Sequence, residues 1–388
     1  MTEKGPLTGV RVVDLTSTFM GPYCTLLLAQ MGADVIKVEA PGGDVVRYVA
    51  DDHGTGMGPV FLNANRGKRS IVLDLKDPAD RDVLQDLVAG ADVFVHNLRP
   101  AAVRALGVGY DAVAAANPRT VYCAVRGFGA SGPYRDKAAY DDVIQAACGM
   151  AAVQGGSGEP RYVTTPVADK TTAVMAVGAI AAALFDRERT GRGQEIEVPM
   201  LEFMVAFTLL DQQGGYVFDP PRGPAGYART SSPYRKPYRT ADGYLSVLVY
   251  TDNQWRAFFD LVGRPELAAE PKYLGITQRT RHIDELYRLV EQELPRRTTA
   301  QWLEALDARG IPAMPVLTVP ELFEDEHLRA VGMFRDVEHP TEGPLRLTRF
   351  PVTFSRTSGP EVRPAPRLGE HGAEILAELG LGSAPEQR

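Results

Sequence analysis

The chain has 388 residues, about twice the size of a common domain, with 44% hydrophobic and 23% charged residues and a formal net charge of −7. This is the mix of an ordinary globular protein, and its acidic balance argues against nucleic-acid binding, which needs a basic face. A local basic pocket for one phosphorylated ligand stays open. Cys24, Cys123 and Cys148 lie scattered in apolar stretches and read as buried thiols. No pair among the six histidines has ligand spacing, so neither a metal nor a resident cofactor is expected. Residues 1–6 lack the apolar core of a signal peptide, and the longest apolar helical run, 173–185, reads as too short for a bilayer. A cytoplasmic protein without membrane contact is the expectation.

Along the first half, strand and helix signals alternate. Residues 10–15 read as a buried strand, 22–31 as a helix closed by Gly32, and 34–38 as the next strand. This β-α-β unit predicts parallel pairing with a right-handed crossover. Strand 70–73 follows, then a helix with Asp77 as cap and Pro78 at its first position, strand 93–96, a short helix from Pro100, and strand 121–126. The spacing then predicts a helix at 143–150, one through Phe185 with a polar stop at 186–193, strand 194–198 and helix 201–213. The fold class implied is α/β, a Rossmann-like doubly wound parallel sheet. Residues 219–237 are rich in Pro, Gly and Arg and read as a linker or arm. Strand 244–250 and helices 255–261, 283–294 and 299–308 predict a smaller α+β domain. From Pro320 the chain is Pro-punctuated and extended until a last helix at 371–379. The expected division is 1–215 for the large domain, 216–320 for the small one, and 321–388 returning to the large one.

Asp169 is the leading catalytic candidate. It precedes an apolar, small-residue helix and follows the Gly-rich loop 154–158. There a carboxylate faces unpaired N–H groups and the positive dipole end, which favours the ionised form a nucleophile needs. A plain N-cap is the alternative use of an Asp at such a place. Asn97 and Arg99 fall where strand 93–96 meets a helix, the end of a parallel strand at which ligands bind. Residues 65–70 and Lys76 add positive charge, which suggests a local anion site or else a solvated loop. Residues 127–132 spell GxGxxG, but Pro133 and the polar 134–137 stand where an apolar helix should open. A tight glycine turn is the better reading, and nicotinamide or flavin binding is disfavoured. Asp141 and Asp142 precede an apolar helix and serve either as caps or as acid/base partners to Asp169.

Taken together, residues 7–15, Gly21-Pro22, 32–39, 65–74, 97–100, 127–134, 189–194, 310–312 and 368–371 resemble the family III CoA-transferases, in order through nearly the whole chain. That family includes formyl-CoA transferase, carnitine CoA-transferase and α-methylacyl-CoA racemase. The resemblance implies transfer of CoA from an acyl-CoA donor to a small carboxylic acid, with Asp169 as nucleophile forming a mixed anhydride and then an aspartyl-CoA thioester. CoA enters as a substrate, so no cofactor is implied. The resemblance also implies an interlocked homodimer. Its CoA contacts fall on Phe19, Met20, the segment from Leu73 to Lys76, Asn97, Leu98, Arg99 and the region of Lys137. A basic residue usual near the adenine falls on Ala105, with Arg104 adjacent as a substitute.

Departures from the family pattern shape the substrate expectation. Phe19 replaces a glutamine of formyl-CoA transferase, and with Met20 it suggests a less polar pocket. The family's Gly-rich loop is replaced by 229–234, where Arg229, with Arg235 and Lys236 beyond it, would suit a second carboxylate. The racemase branch uses a His where this chain has Tyr140, in the triplet 139–141 ending at Asp141. A phenol of pKa about 10 is a poor base near neutrality. Racemisation therefore ranks below transfer, and a CoA-binding protein without turnover is the alternative of another class.

Overall fold

The computed structural model describes residues 5–357 and 359–381. Among them the chain forms two compact units. One takes in the residues up to Gly149, Tyr162–Phe207 and those from His327 onward; the other comprises Met150–Arg161 and Thr208–Glu326.

Six strands of the first unit, β1 Arg11–Leu15, β2 Asp34–Glu39, β3 Arg69–Val72, β4 Val93–His96, β5 Val121–Arg126 and β6 Glu195–Pro199, make one parallel sheet. Its order is β3-β2-β1-β4-β5-β6, the doubly wound arrangement the alternating pattern predicts. The central strands are continuous apolar runs because helices cover both faces. Val12, Val13, Val35, Ile36, Phe94, Val95 and Val121 are buried accordingly. Strand order reverses between β1 and β4, and this reversal opens a crevice at their carboxyl ends.

Helix Val167–Thr190 packs on helix Met20–Gln30 and on β5 and β6. Its buried face, Ala168, Thr172, Ala173, Ala176, Ile180 and Ala183, is mostly small, which lets backbones approach closely. The polar residues 186–190, expected as the stop, are its last turn; the left-handed Gly191 ends it. At 24 residues the helix is long and apolar enough to cross a bilayer by length and composition, which corrects the expectation of a short run. Arg187 at its far end reaches Asp92 at 2.8 Å, and the small-residue face is spent inside the unit.

The stretch after Pro320 is less extended than expected. Phe334–His339 and Gly343–Thr348 form an antiparallel hairpin in the first unit. Helix Gly372–Glu378 then docks beside β3, with Ile375 fully buried among Ile36, Ile71 and Phe94. Arg69 ties it down through Glu374 at 3.0 Å and Glu378 at 2.7 Å.

The second unit holds an antiparallel sheet of Tyr238–Arg239, Tyr244–Val247 and Ala313–Pro315. Helices Asp252–Leu261, Ile283–Glu293 and Thr299–Asp307 cover it, burying Trp255, Phe258, Leu286 and Trp302. Thr251 with Gln254 and Thr298 with Gln301 form capping boxes on two of these helices.

Candidate active site

The turn after β1 is held from beneath by buried charge. Lys68 Nζ donates to Asp14 Oδ2 at 3.0 Å, and Lys37 Nζ to Asp44 Oδ2 at 3.0 Å and to the Thr16 carbonyl at 2.8 Å. Burial alone would raise the Asp14 carboxyl; Lys68, Lys37 and the hydroxyls of Thr16 and Thr25 reverse this and hold it down at about 2. Asp44 in turn accepts from the backbone N–H of Thr18 at 3.1 Å. Thr18 has φ +76°, a strained conformation for a β-branched residue that needs such surroundings to persist. Gly21 sits where any side chain would overlap Thr16, so helix Met20–Gln30 can begin against this turn.

Across the crevice, Asn97 clamps the same turn. Its Nδ2 donates to the Ser17 carbonyl at 2.9 Å, and its Oδ1 accepts from the Ser17 N–H at 3.2 Å. His96 Nδ1 accepts from the Leu98 N–H at 3.2 Å, which leaves Nε2 as the donor to Tyr122 Oη at 2.8 Å. Burial, aided by the Arg126 charge, lowers His96 to about 3, so the imidazole is neutral and structural.

These loops line a cleft of about 460 Å³ at the carboxyl ends of β1, β4 and β5. Four cations border it, Arg99, Arg126, Arg135 and Lys137; Arg126 pairs with Glu197 at 3.4 Å and Arg135 with Asp136 at 3.3 Å, and among the described residues no Asp or Glu is part of the lining itself. Gly127 permits the close pass of the loop after β5, since a methyl there would overlap Ala139. The GxGxxG stretch is thus a packing turn, as its context implies.

Asp169 lies one hydrogen bond from the cleft wall. Tyr140 lines the cleft, and Oδ1 of the next residue, Asp141, accepts from the Asp169 N–H at 2.9 Å. Asp141 Oδ2 accepts from Gln145 Nε2 at 2.6 Å, and Gln145 Oε1 from the Val163 N–H at 2.8 Å. Asp169 is not the N-cap: Pro166 holds that position, and Asp169 stands in the first turn. The cap-like acceptor comes instead from Asp141, on another helix. Burial, then the Asp141 charge, raises the Asp169 carboxyl to about 7. The dipole-stabilised, fully ionised carboxylate expected from local sequence is therefore corrected by these two long-range effects.

The structure gathers Asn97, Leu98, Arg99, Lys137 and Tyr140 in the cleft, with Asp141 and Asp169 behind it. Phe19 lines a separate cavity. Met20 and Leu73 are buried core residues, and Lys76 and Arg104 are exposed outside the cleft lining. Arg126 and Arg135 are cleft cations the sequence reading passed over; Arg126 ends β5, and strand-end position was the signal that could have found it. The basic run 65–70 is mostly not an anion site. Lys68 is spent on Asp14, and Arg69 on Asp34, Glu374 and Glu378. Of the basic residues proposed for a second carboxylate, Lys236 pairs with Glu291 and Arg229 is buried over the Tyr250 ring.

The sequence profile of CoA-transferase family III matches residues 7–372. A succinate–glutarate CoA-transferase of Agrobacterium fabrum is 35% identical over 97% of this chain and 96% of its own. A formyl-CoA:oxalate CoA-transferase of Streptomyces coelicolor is 36% identical over 98% of this chain and 97% of its own. The crystal structure of a CaiB/BaiF family protein from Brucella suis superposes with a TM-score of 0.82 at 32% identity, covering 97% of this chain and all of that one.

Proposed function

The chain belongs to CoA-transferase family III, and on that premise we propose that it moves CoA from an acyl-CoA donor to a carboxylic acid through a covalent intermediate on Asp169. The observation that supports this reading is a cation-lined cleft together with a partly protonated carboxyl on Asp169, whose backbone N–H is held by Asp141, the neighbour in the chain of cleft-lining Tyr140. Arg99, Arg126, Arg135 and Lys137 suit the phosphates of CoA. Asn97 and His96 hold the loops that present them.

In this mechanism the Asp169 carboxylate attacks the thioester carbonyl, and the C–S bond breaks to release CoA thiolate and leave a mixed anhydride. Thiolate attacks the aspartyl carbonyl, freeing the donor acid and forming aspartyl-CoA. The acceptor carboxylate attacks that thioester, giving a second anhydride and thiolate again. Thiolate finally attacks the acceptor's acyl carbonyl, which yields the new acyl-CoA and restores Asp169. No net proton is exchanged. Partial burial suits the steps, since a poorly solvated carboxylate is a stronger nucleophile once ionised. The two relatives named above act on succinate, glutarate and oxalate by name, which supports a dicarboxylic acid as acceptor here. Val174, Met175 and Phe185, exposed and apolar on helix Val167–Thr190, support a homodimer.

The test is to trap the adduct. Protein mixed with a panel of acyl-CoAs and hydroxylamine is expected to gain a hydroxamate at Asp169, found by peptide mass mapping, and Asp169→Ala to gain none. Exchange of the α-proton of a branched acyl-CoA with deuterated water, without any adduct, would move the assignment to racemisation.

A further inference from the structure

A second cavity, of about 520 Å³, runs along helix Met20–Gln30 on the first unit. Phe19, Tyr23, Leu26, Leu27, Val60 and Met333 give it an apolar wall. Three cations also line it, Arg66, Lys170 and Arg349, and among the described residues no Asp or Glu does. In a chain of net charge −7, none of the three is balanced by a carboxylate. Arg66 is 7% exposed, and its guanidinium meets neutral acceptors, the Asn63 carbonyl at 2.7 Å, Thr348 Oγ1 at 3.0 Å and the Gln30 side-chain oxygen at 3.0 Å. Burial pulls its pKa below the usual arginine value, with only Tyr23 opposing. Arg349 donates to the Val331 and Phe350 carbonyls, at 3.2 and 2.8 Å, and keeps N–H groups to spare. Lys170 Nζ donates once, to Thr165 Oγ1 at 2.6 Å, and keeps two N–H groups. A buried cation without a counter-charge is an unsatisfied electrostatic demand, and an anion with an apolar body meets it.

We propose that this cavity is the subsite for the distal carboxylate of a dicarboxylic acid, with Arg349 and Lys170 as its hydrogen-bond donors and Arg66 as the buried charge that draws it in. The inference rests on the transfer reading above and moves the second-carboxylate site away from residues 229–236. Lys170 follows Asp169 directly, so the subsite and the nucleophile are adjacent in the chain. An acid with one carboxylate at Lys170 and Arg349 has its methylenes against Phe19 and Tyr23.

The test compares succinate with butyrate, acids of equal chain length with and without the distal carboxylate, as acceptors from whichever donor labels Asp169. Wild type is expected to prefer succinate. Arg349→Met and Lys170→Met are each expected to cut the succinate-to-butyrate ratio of kcat/KM about tenfold or more, the loss of one charge-assisted hydrogen bond. Arg349→Lys should recover part of the ratio. An unchanged ratio in folded variants that still label Asp169 would overturn the subsite and leave the transfer reading standing. A changed monomer–dimer balance at unchanged ratio, measured by sedimentation, would assign the cavity to a second copy of the chain and overturn it equally. Should no donor label Asp169, calorimetry with glutarate and pentanoate decides the subsite alone: preferential glutarate binding lost in both variants supports it, and equal binding overturns it.

Discussion

At Asp169 the raised pKa couples stability to pH with a definite sign. The folded value of about 7 lies above the ordinary 3.8, so between those limits the folded chain holds a proton that the unfolded chain has released. The stabilisation is fully present below about pH 4 and is lost as pH rises through about 7. Asp169→Asn mimics the protonated form at all pH. It should leave the denaturation midpoint unchanged near pH 4 and raise stability at pH 8 by about 2 kcal/mol, after allowance for solvent screening of a partly exposed group. Equal midpoints for the two proteins at pH 8 would mean that the fold does not raise the Asp169 carboxyl above its ordinary value. The same titration predicts that adduct formation with an acyl-CoA rises with pH through about 7 and then levels. Position 169 was legible from its setting at a helix start, but its protonation was not. Burial raises it first and the Asp141 charge second; Asp141 lies 28 residues earlier, and no local pattern announces that contact.

Among the elements, the strands of the sheet were legible because burial on both faces makes them rich in apolar residues; β4 and β5 fall where the sequence puts them. The hairpin Phe334–His339 with Gly343–Thr348 was missed because it is only partly buried and the alternation of its first strand is interrupted by Arg335 and Asp336. The charge ladder under β1 was also illegible. Asp14, Lys37 and Lys68 read as ordinary polar residues, and only the fold brings them together. That ladder carries its own prediction. Lys68→Met leaves Asp14 buried with Lys37 as its remaining cation, and should cost about 3–5 kcal/mol of stability in denaturant melts. Adding Asp14→Asn should return part of it. A loss well under 1 kcal/mol for Lys68→Met would show that the strained turn at Thr18 does not depend on the pair.

Taken whole, the molecule is an anion that binds an anion. With a net charge of −7 and four cations gathered in one cleft, the attraction proposed there for a CoA thioester is local and works against the background field. Raising ionic strength from about 10 to 500 mM should therefore raise KM for the acyl-CoA several-fold, with kcat little changed, because exposed charges are screened over about 10 Å or less. Neutralising Arg135 and Lys137 together should flatten that dependence, and a salt-independent KM would argue against phosphate contacts in the cleft. The acidic composition alone could exclude nucleic acid but could not show where the positive charge collects.

The docking of helix Gly372–Glu378 beside β3 has a consequence for how the protein is made. During synthesis β3 leaves the ribosome some 300 residues before Glu374 and Glu378, the partners of Arg69, and before Ile375, which seals the core. The first unit thus waits for helix Gly372–Glu378, while the second, complete at Glu326, is free to fold sooner. A nascent chain stalled anywhere before Gly372 carries an open apolar edge on β3, so premature termination should yield aggregation or degradation rather than a shortened enzyme.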